Sequence, residues 1–141
     1  MRRRARECAL QILYQLDMTA AQDGALPAEK LDVALERYWD SFEAVDADER
    51  EFAERLARGV VREVESIDNA IGEASRNWRL SRMESVDRNL LRLAAFEIIH
   101  CPDIPRAASI NEAIEIAKRY GGGDSAAFIN GILDKLGLEE P

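Results

Sequence analysis

The 141-residue sequence predicts an all-α fold of six or seven helices, and three observations carry that prediction. Apolar residues recur at helical spacing from end to end, whereas no stretch alternates with the period of two that a half-buried strand requires. Proline and clustered glycine fall at 24–27, 102–105 and 121–123, cutting the chain into helix-sized pieces. The composition, 47% hydrophobic and 33% charged, is ample for a core that needs no disulfide or metal. This length fits one domain, or two small subdomains sharing a core.

In the opening stretch Ala5, Cys8, Ala9, Ile12, Leu13 and Leu16 fall on one helical face, with Arg3, Arg4, Glu7, Gln11 and Tyr14 on the other. The helix is expected to stop around Asp23, Gly24 and Pro27, and Pro27 suits the entry to a second helix. There Leu31, Leu35, Tyr38 and Phe42 make the apolar stripe. The charged turn "VDADERE" opens a long third segment with Phe52, Leu56, Val60, Val64, Ile67 and Ile71, broken near Ser66. Gly59 inside it weakens a helix by about 1 kcal/mol against alanine, which points to close packing there. "SRME", Ser81 to Glu84, has the spacing of a capping box and opens a helix through Val86, Leu90, Leu93, Ala94 and Ile98 that must finish before Pro102. Ser109 and Glu112 repeat that spacing, followed by Ile110, Ala113, Ile114 and Ala117 as a buried face. The glycines at 121–123 end this helix by tolerating a left-handed cap. Asp124 or Ser125 then caps a last helix carrying Phe128, Ile132, Leu133 and Leu136.

Composition excludes several function classes. No apolar run approaches a membrane span, and Gln11, Gln15 and Asp17 interrupt the stretch that follows the first arginines, so the start reads as mature, cytoplasmic protein. Cys8 and Cys101 are far apart and His100 is the sole histidine, which favours two reduced, buried thiols over a metal site. One histidine beside a proline leaves no serine or cysteine with a convincing base, and the glycine run lacks the Lys-Ser or Lys-Thr of a phosphate loop. An enzyme is not expected.

The chain carries a formal net charge of −8, yet four of its first six residues are arginine: Arg2, Arg3, Arg4 and Arg6. A helix N-terminus disfavours positive charge, so a purely structural helix would place Asp or Glu there. A polyanion as partner explains the pattern, because the arginine fork bonds phosphate bidentately. A frayed, solvated terminus explains it equally. Three or four phosphate contacts would give a log–log salt slope of roughly −2 to −3 on a single strand. Stacking platforms such as Tyr14, Tyr120 or Phe128 would add specificity, although Phe128 also sits on an apolar stripe.

Three stretches resemble the bacterial transcription antitermination factor NusB family: "RRRARECALQILYQLD", "LLRLAAFEI" and "IPRAASINEAIEIAKRYGGGDSAAFINGILDKL". Residues 20–80 match only in helical pattern. The resemblance implies a single domain built as two small helical bundles packed across each other. It implies binding to the boxA element of nascent ribosomal RNA together with NusE, a small-subunit ribosomal protein. That assembly joins NusA and NusG on RNA polymerase, without catalysis or cofactor. Carried over, Arg2, Arg3, Arg4 and Arg6 become phosphate contacts, and Tyr14, Tyr120, Asp124 and Phe128 the rest of the RNA-facing surface. Asp87, Arg92 and Glu97 map to the NusE-facing surface, and self-association of the free protein through the basic surface is a further implication. Replacing Arg3 and Arg6 by alanine is expected to weaken RNA binding without lowering thermal stability. The rival reading is a helical protein–protein adaptor whose arginines are incidental.

Overall fold

The computed structural model describes residues 2–20, 24–41, 45–76 and 78–136. Among them are seven α-helices and no strand: α1 (Arg2–Met18), α2 (Leu31–Ser41), α3 (Ala47–Arg62), α4 (Val64–Ser75), α5 (Ser85–His100), α6 (Arg106–Tyr120) and α7 (Ser125–Leu133). Short 3-10 turns cover Ala28–Lys30 and Leu80–Arg82. The all-α prediction holds; Asp23 and Phe42 lie outside the described residues.

The organising element is α5. Eleven consecutive residues, Asp87 through Glu97, are buried, and the helix packs on α1, α3, α4, α6 and α7. A helix buried around its whole circumference belongs at the centre of a fold. One side of it is covered by α1 with α2 and α3, the other by α6 with α7, and a single continuous core joins them. The predicted stripes of α1, α2 and α3 face that core, from Ala5 to Leu16, at Leu31, Leu35 and Tyr38, and at Phe52, Leu56 and Val60. Cys8 and Cys101 are buried free thiols, and burial pushes both above the usual thiol range, which suppresses the reactive thiolate. Gly59 is where α3 crosses α5: a Cβ there would lie 2.1 Å from Phe96 Cζ, so only glycine admits the ring.

Several local signals resolve differently. The third segment breaks at Glu63 rather than near Ser66, leaving Val64 half-buried at the start of α4. The capping box that forms is Asp46 with Glu49, inside the charged turn: the Asp46 carboxylate accepts from the Glu49 N–H at 2.8 Å. Ser81 caps nothing, because Arg88 donates to the carbonyls of Leu80 and Met83 at 2.9 and 3.1 Å and holds residues 80–82 as a turn. Consequently α5 begins three residues late, with Glu84 rather than Ser81 at its N-cap. Ser109 is likewise interior to α6, where its hydroxyl donates to Glu97 at 2.7 Å, while Glu112 turns to Arg3. Tertiary partners outcompeted the local cap in both places.

Gly121 ends α6 with φ −92°, ψ 177°, an extended and not a left-handed conformation. Its glycine is required by contact instead, since a Cβ would sit 2.5 Å from Ser125 Oγ and 2.9 Å from the Ala117 carbonyl oxygen. Asp124 occupies the N-cap of α7 without a side-chain cap bond, and Ser125 Oγ accepts from the Gly122 N–H at 2.9 Å. Leu136 is buried just beyond the end of α7.

Candidate nucleic-acid interface

The four arginines divide. Arg6 is 6% exposed and lies flat against Glu97, Nε and Nη2 each 2.8 Å from a carboxylate oxygen. Arg6 therefore closes the α1–α5 junction and has no face left for phosphate, which corrects its assignment as an RNA contact. Arg3, Arg4 and Arg2 are exposed. Arg3 makes a surface fork with Glu112 at 2.8 and 3.1 Å, and Arg2 rests its guanidinium 4.3 Å from the Phe52 ring centroid. Glu7, read as solvent-facing, is 7% exposed and receives Arg119 at 3.3 Å.

The residues assigned to a protein-facing surface are interior. Arg92 and Glu97 are each 1% exposed, and Asp87 is 9%. Arg92 reaches Asp68 at 2.9 Å and the Gly24 carbonyl, fixing the 24-turn to α4 and α5. Next to it Asp17 accepts from Arg88 and Asn89 at 2.8 Å each. Polarity along α5 looks like an exposed face in sequence; here it is a set of internal ion pairs, which is how a buried charge is tolerated. Arg92 and Glu97 are thus structural in this conformation.

The C-terminal residues do converge. Tyr120, Asp124 and Phe128 line one groove of about 720 Å³ between the start of α5 and the α6–α7 turn, together with Trp78, Arg82, Glu84 and Asp87. Phe128 is half-buried and meets Trp78 edge-on, centroids 5.2 Å apart. Both readings of Phe128 are partly met, since it packs on the core and also lines the groove. Tyr14 is half exposed on α1 but is not among the groove walls. What links the arginine end of α1 to the groove is Arg119, which pairs with Glu7 and lies 5.6 Å over the Tyr120 ring.

Sequence reading missed Trp78, Arg82 and Arg119. The signal for the first two was present, an aromatic interleaved with arginines in "WRLSR" between two helices. Electrostatically the groove is mixed: Glu84, Asp87 and Asp124 face a single cation, Arg82. Burial pushes the Asp87 carboxyl above its usual range, a hydrogen bond from Ser125 opposes that, and the Glu84 charge adds to the rise. No cluster able to hold a metal occurs among the described residues, and no helix there is long and apolar enough to cross a membrane.

Comparison with known proteins is consistent along the whole chain. The model of the NusB family matches residues 3–137. The transcription antitermination protein NusB of Anaeromyxobacter dehalogenans (strain 2CP-1) is 50% identical over 135 residues, covering 96% of this chain and 89% of that one. Its counterpart in Myxococcus xanthus is 45% identical over 140 residues, covering 97% and 94%. Among solved structures, T. maritima NusB superposes with a TM-score of 0.84 at 38% identity, covering 99% of this chain and 92% of that one. A crystal structure of the antitermination factors NusB and NusE in complex with double-stranded RNA gives 0.74 at 28% identity, with 95% of each chain covered.

Proposed function

The chain belongs to the NusB family, and from that premise we propose that it is a cytoplasmic, noncatalytic antitermination factor that binds boxA RNA of nascent ribosomal transcripts together with NusE. The RNA–protein assembly then joins NusA and NusG on RNA polymerase. The observation that carries this reading is the likeness, over nearly the full chain, to a NusB crystallised with NusE and RNA. Arg2, Arg3 and Arg4 supply the phosphate contacts, and Tyr14, Tyr120, Asp124 and Phe128 the remainder of the RNA-facing surface. Arg3 must leave Glu112 to engage phosphate, a small exchange because the pair is solvent-exposed. NusE meets exposed surface other than Arg92 and Glu97, which hold the interior.

An acidic body with three exposed arginines binds RNA weakly alone, so the partner completes the site. Filter binding of a boxA-like RNA with and without NusE tests this. Binding that strengthens with NusE and falls with salt, with a slope near −2 for three phosphate contacts on a single strand, is the expected result. Salt-insensitive binding, or none in either case, refutes it. That outcome would favour an adaptor, a reading to which the Arg3–Glu112 and Arg6–Glu97 pairs lend some weight.

A further inference from the structure

We infer that Arg119, in the last turn of α6, is a fourth phosphate contact for the bound RNA, taking the place that Arg6, closed into the core, leaves open. This rests on the RNA-binding reading above and adds one residue to that surface. The first observation is where Arg119 points. The negative end of a helix accounts for a cation in its last turn, and Lys118 stays there, paired with Glu115 of its own helix at 3.2 Å. Arg119 instead leaves its helix and crosses to α1, where Nη1 donates to Glu7 at 3.3 Å. Four residues earlier on α1, Arg3 crosses the other way to Glu112 of α6. The two guanidiniums thus share one seam between α1 and α6, at levels of α1 about 6 Å apart by helical rise. With Arg2 and Arg4 at the same end, they make the row of cations that a polyanion follows.

The second observation is which edge stays open. Arginine offers phosphate a fork made of Nε and Nη2. Arg6 has filled that fork with Glu97, and Arg3 has filled it with Glu112. Arg119 gives Glu7 only Nη1, and its Nε and Nη2 make no hydrogen bond among the described residues. Its side chain is 68% exposed, against 8% for Arg6. Phosphate can therefore take the fork while Glu7 keeps its hold, an advantage that Arg3 lacks. The third is what steadies it. The guanidinium lies 5.6 Å over the Tyr120 ring, and Glu7 is itself 7% exposed and so fixed within α1. A long surface side chain is held at both faces before RNA arrives, which lowers the ordering cost of capture. Arg119 is not a wall of the groove, so the carboxylates of Glu84, Asp87 and Asp124 belong to a different surface.

The test is fluorescence anisotropy of the NusE-bound protein with a single-stranded boxA-like RNA across a salt series. Wild type is compared with Arg119→Gln, which removes the charge yet leaves Glu7 an amide donor. Each phosphate contact on a single strand adds about 0.7 to the log–log slope, so the variant's slope should be shallower by about that amount. Its affinity should be about fivefold lower at about 0.1 M salt, a loss that shrinks to about twofold at about 0.3 M. Lys118→Gln, one residue away and equal in charge, is the control and should change the slope by less than half as much. An unchanged slope in Arg119→Gln overturns the proposal, as does an equal change in Lys118→Gln, which would make the effect one of net charge. Loss of NusE affinity by Arg119→Gln without RNA overturns it too, giving the guanidinium to the partner protein. Salt-dependent wild-type binding that ignores Arg119→Gln sinks only this contact; absence of any RNA binding by wild type sinks the functional reading itself.

Discussion

Arg6→Ala removes one side of an ion pair whose members are 6% and 1% exposed. Two charge-assisted bonds of 2.8 Å disappear, and Glu97 keeps only the Ser109 hydroxyl at 2.7 Å. Stranding one partner of a buried pair costs about 3–5 kcal/mol, against a total stability of about 5–15 kcal/mol for a domain. With an unfolding entropy near 2.1 cal/mol/K per residue, roughly 0.3 kcal/mol/K for this chain, the melting temperature should fall by about 10–17 °C. Calorimetric or circular-dichroism melts check this, with Arg3→Ala as the comparison because its fork is solvent-exposed and should shift the melt only slightly. Removing both partners, Arg6→Ala with Glu97→Ala, should recover part of the loss, since the orphaned charge goes with its partner. A melt within about 3 °C of wild type would refute the reasoning and return Arg6 to the surface cluster. The ion-pair geometry thus predicts a near-neutral Arg3→Ala and a costly Arg6→Ala, where the sequence alone led to the expectation that both would be neutral for stability.

Gly59→Ala should destabilise by about 1–3 kcal/mol, because overpacking against Phe96 outweighs the propensity gain of about 1 kcal/mol; denaturant melts read this, and Phe96→Leu in the same chain should restore much of it. Arg3 holds the Glu112 carboxyl below its ordinary value of 4.5. A depressed carboxyl stabilises the fold above the unfolded value and stops doing so as pH falls through the folded one. The melting difference between wild type and Arg3→Ala should therefore be present at pH 7 and vanish in acid below 4.5, and a difference that grows there would reverse the assignment. Asp124→Asn removes one groove carboxylate that caps nothing through its side chain, so RNA affinity should rise about two- to fivefold with an unchanged melt; unchanged affinity would take Asp124 out of the site.

Helix positions and the core were legible because burial imposes a period on sequence: Ile12, Leu35, Leu56, Ala113 and Ile132 all face inward as their spacing requires. Charged residues were not, since a sequence records the charge and not its partner. Arg6 and Glu97 are separated by 91 residues, and Asp17 and Arg88 by 71. Each looks like surface until the fold brings the two together. The same blindness hid the late start of α5, where Arg88 overrules a well-spaced capping box. In the candidate site Tyr120, Asp124 and Phe128 were found together through the family resemblance of one C-terminal stretch, whereas Trp78 joins them only through tertiary structure.

The Arg6–Glu97 clamp also sets how α1 presents itself. Because that guanidinium is tied to the central helix by two short bonds, a roll of α1 about its axis would break a buried pair, so the face of α1 that carries Arg2, Arg3 and Arg4 is set by folding, whatever their side chains then do. The disorder that a loose cationic tail would surrender on capture has already been lost during folding. If those arginines meet RNA as proposed, a buried ion pair would govern how tightly the transcript is held.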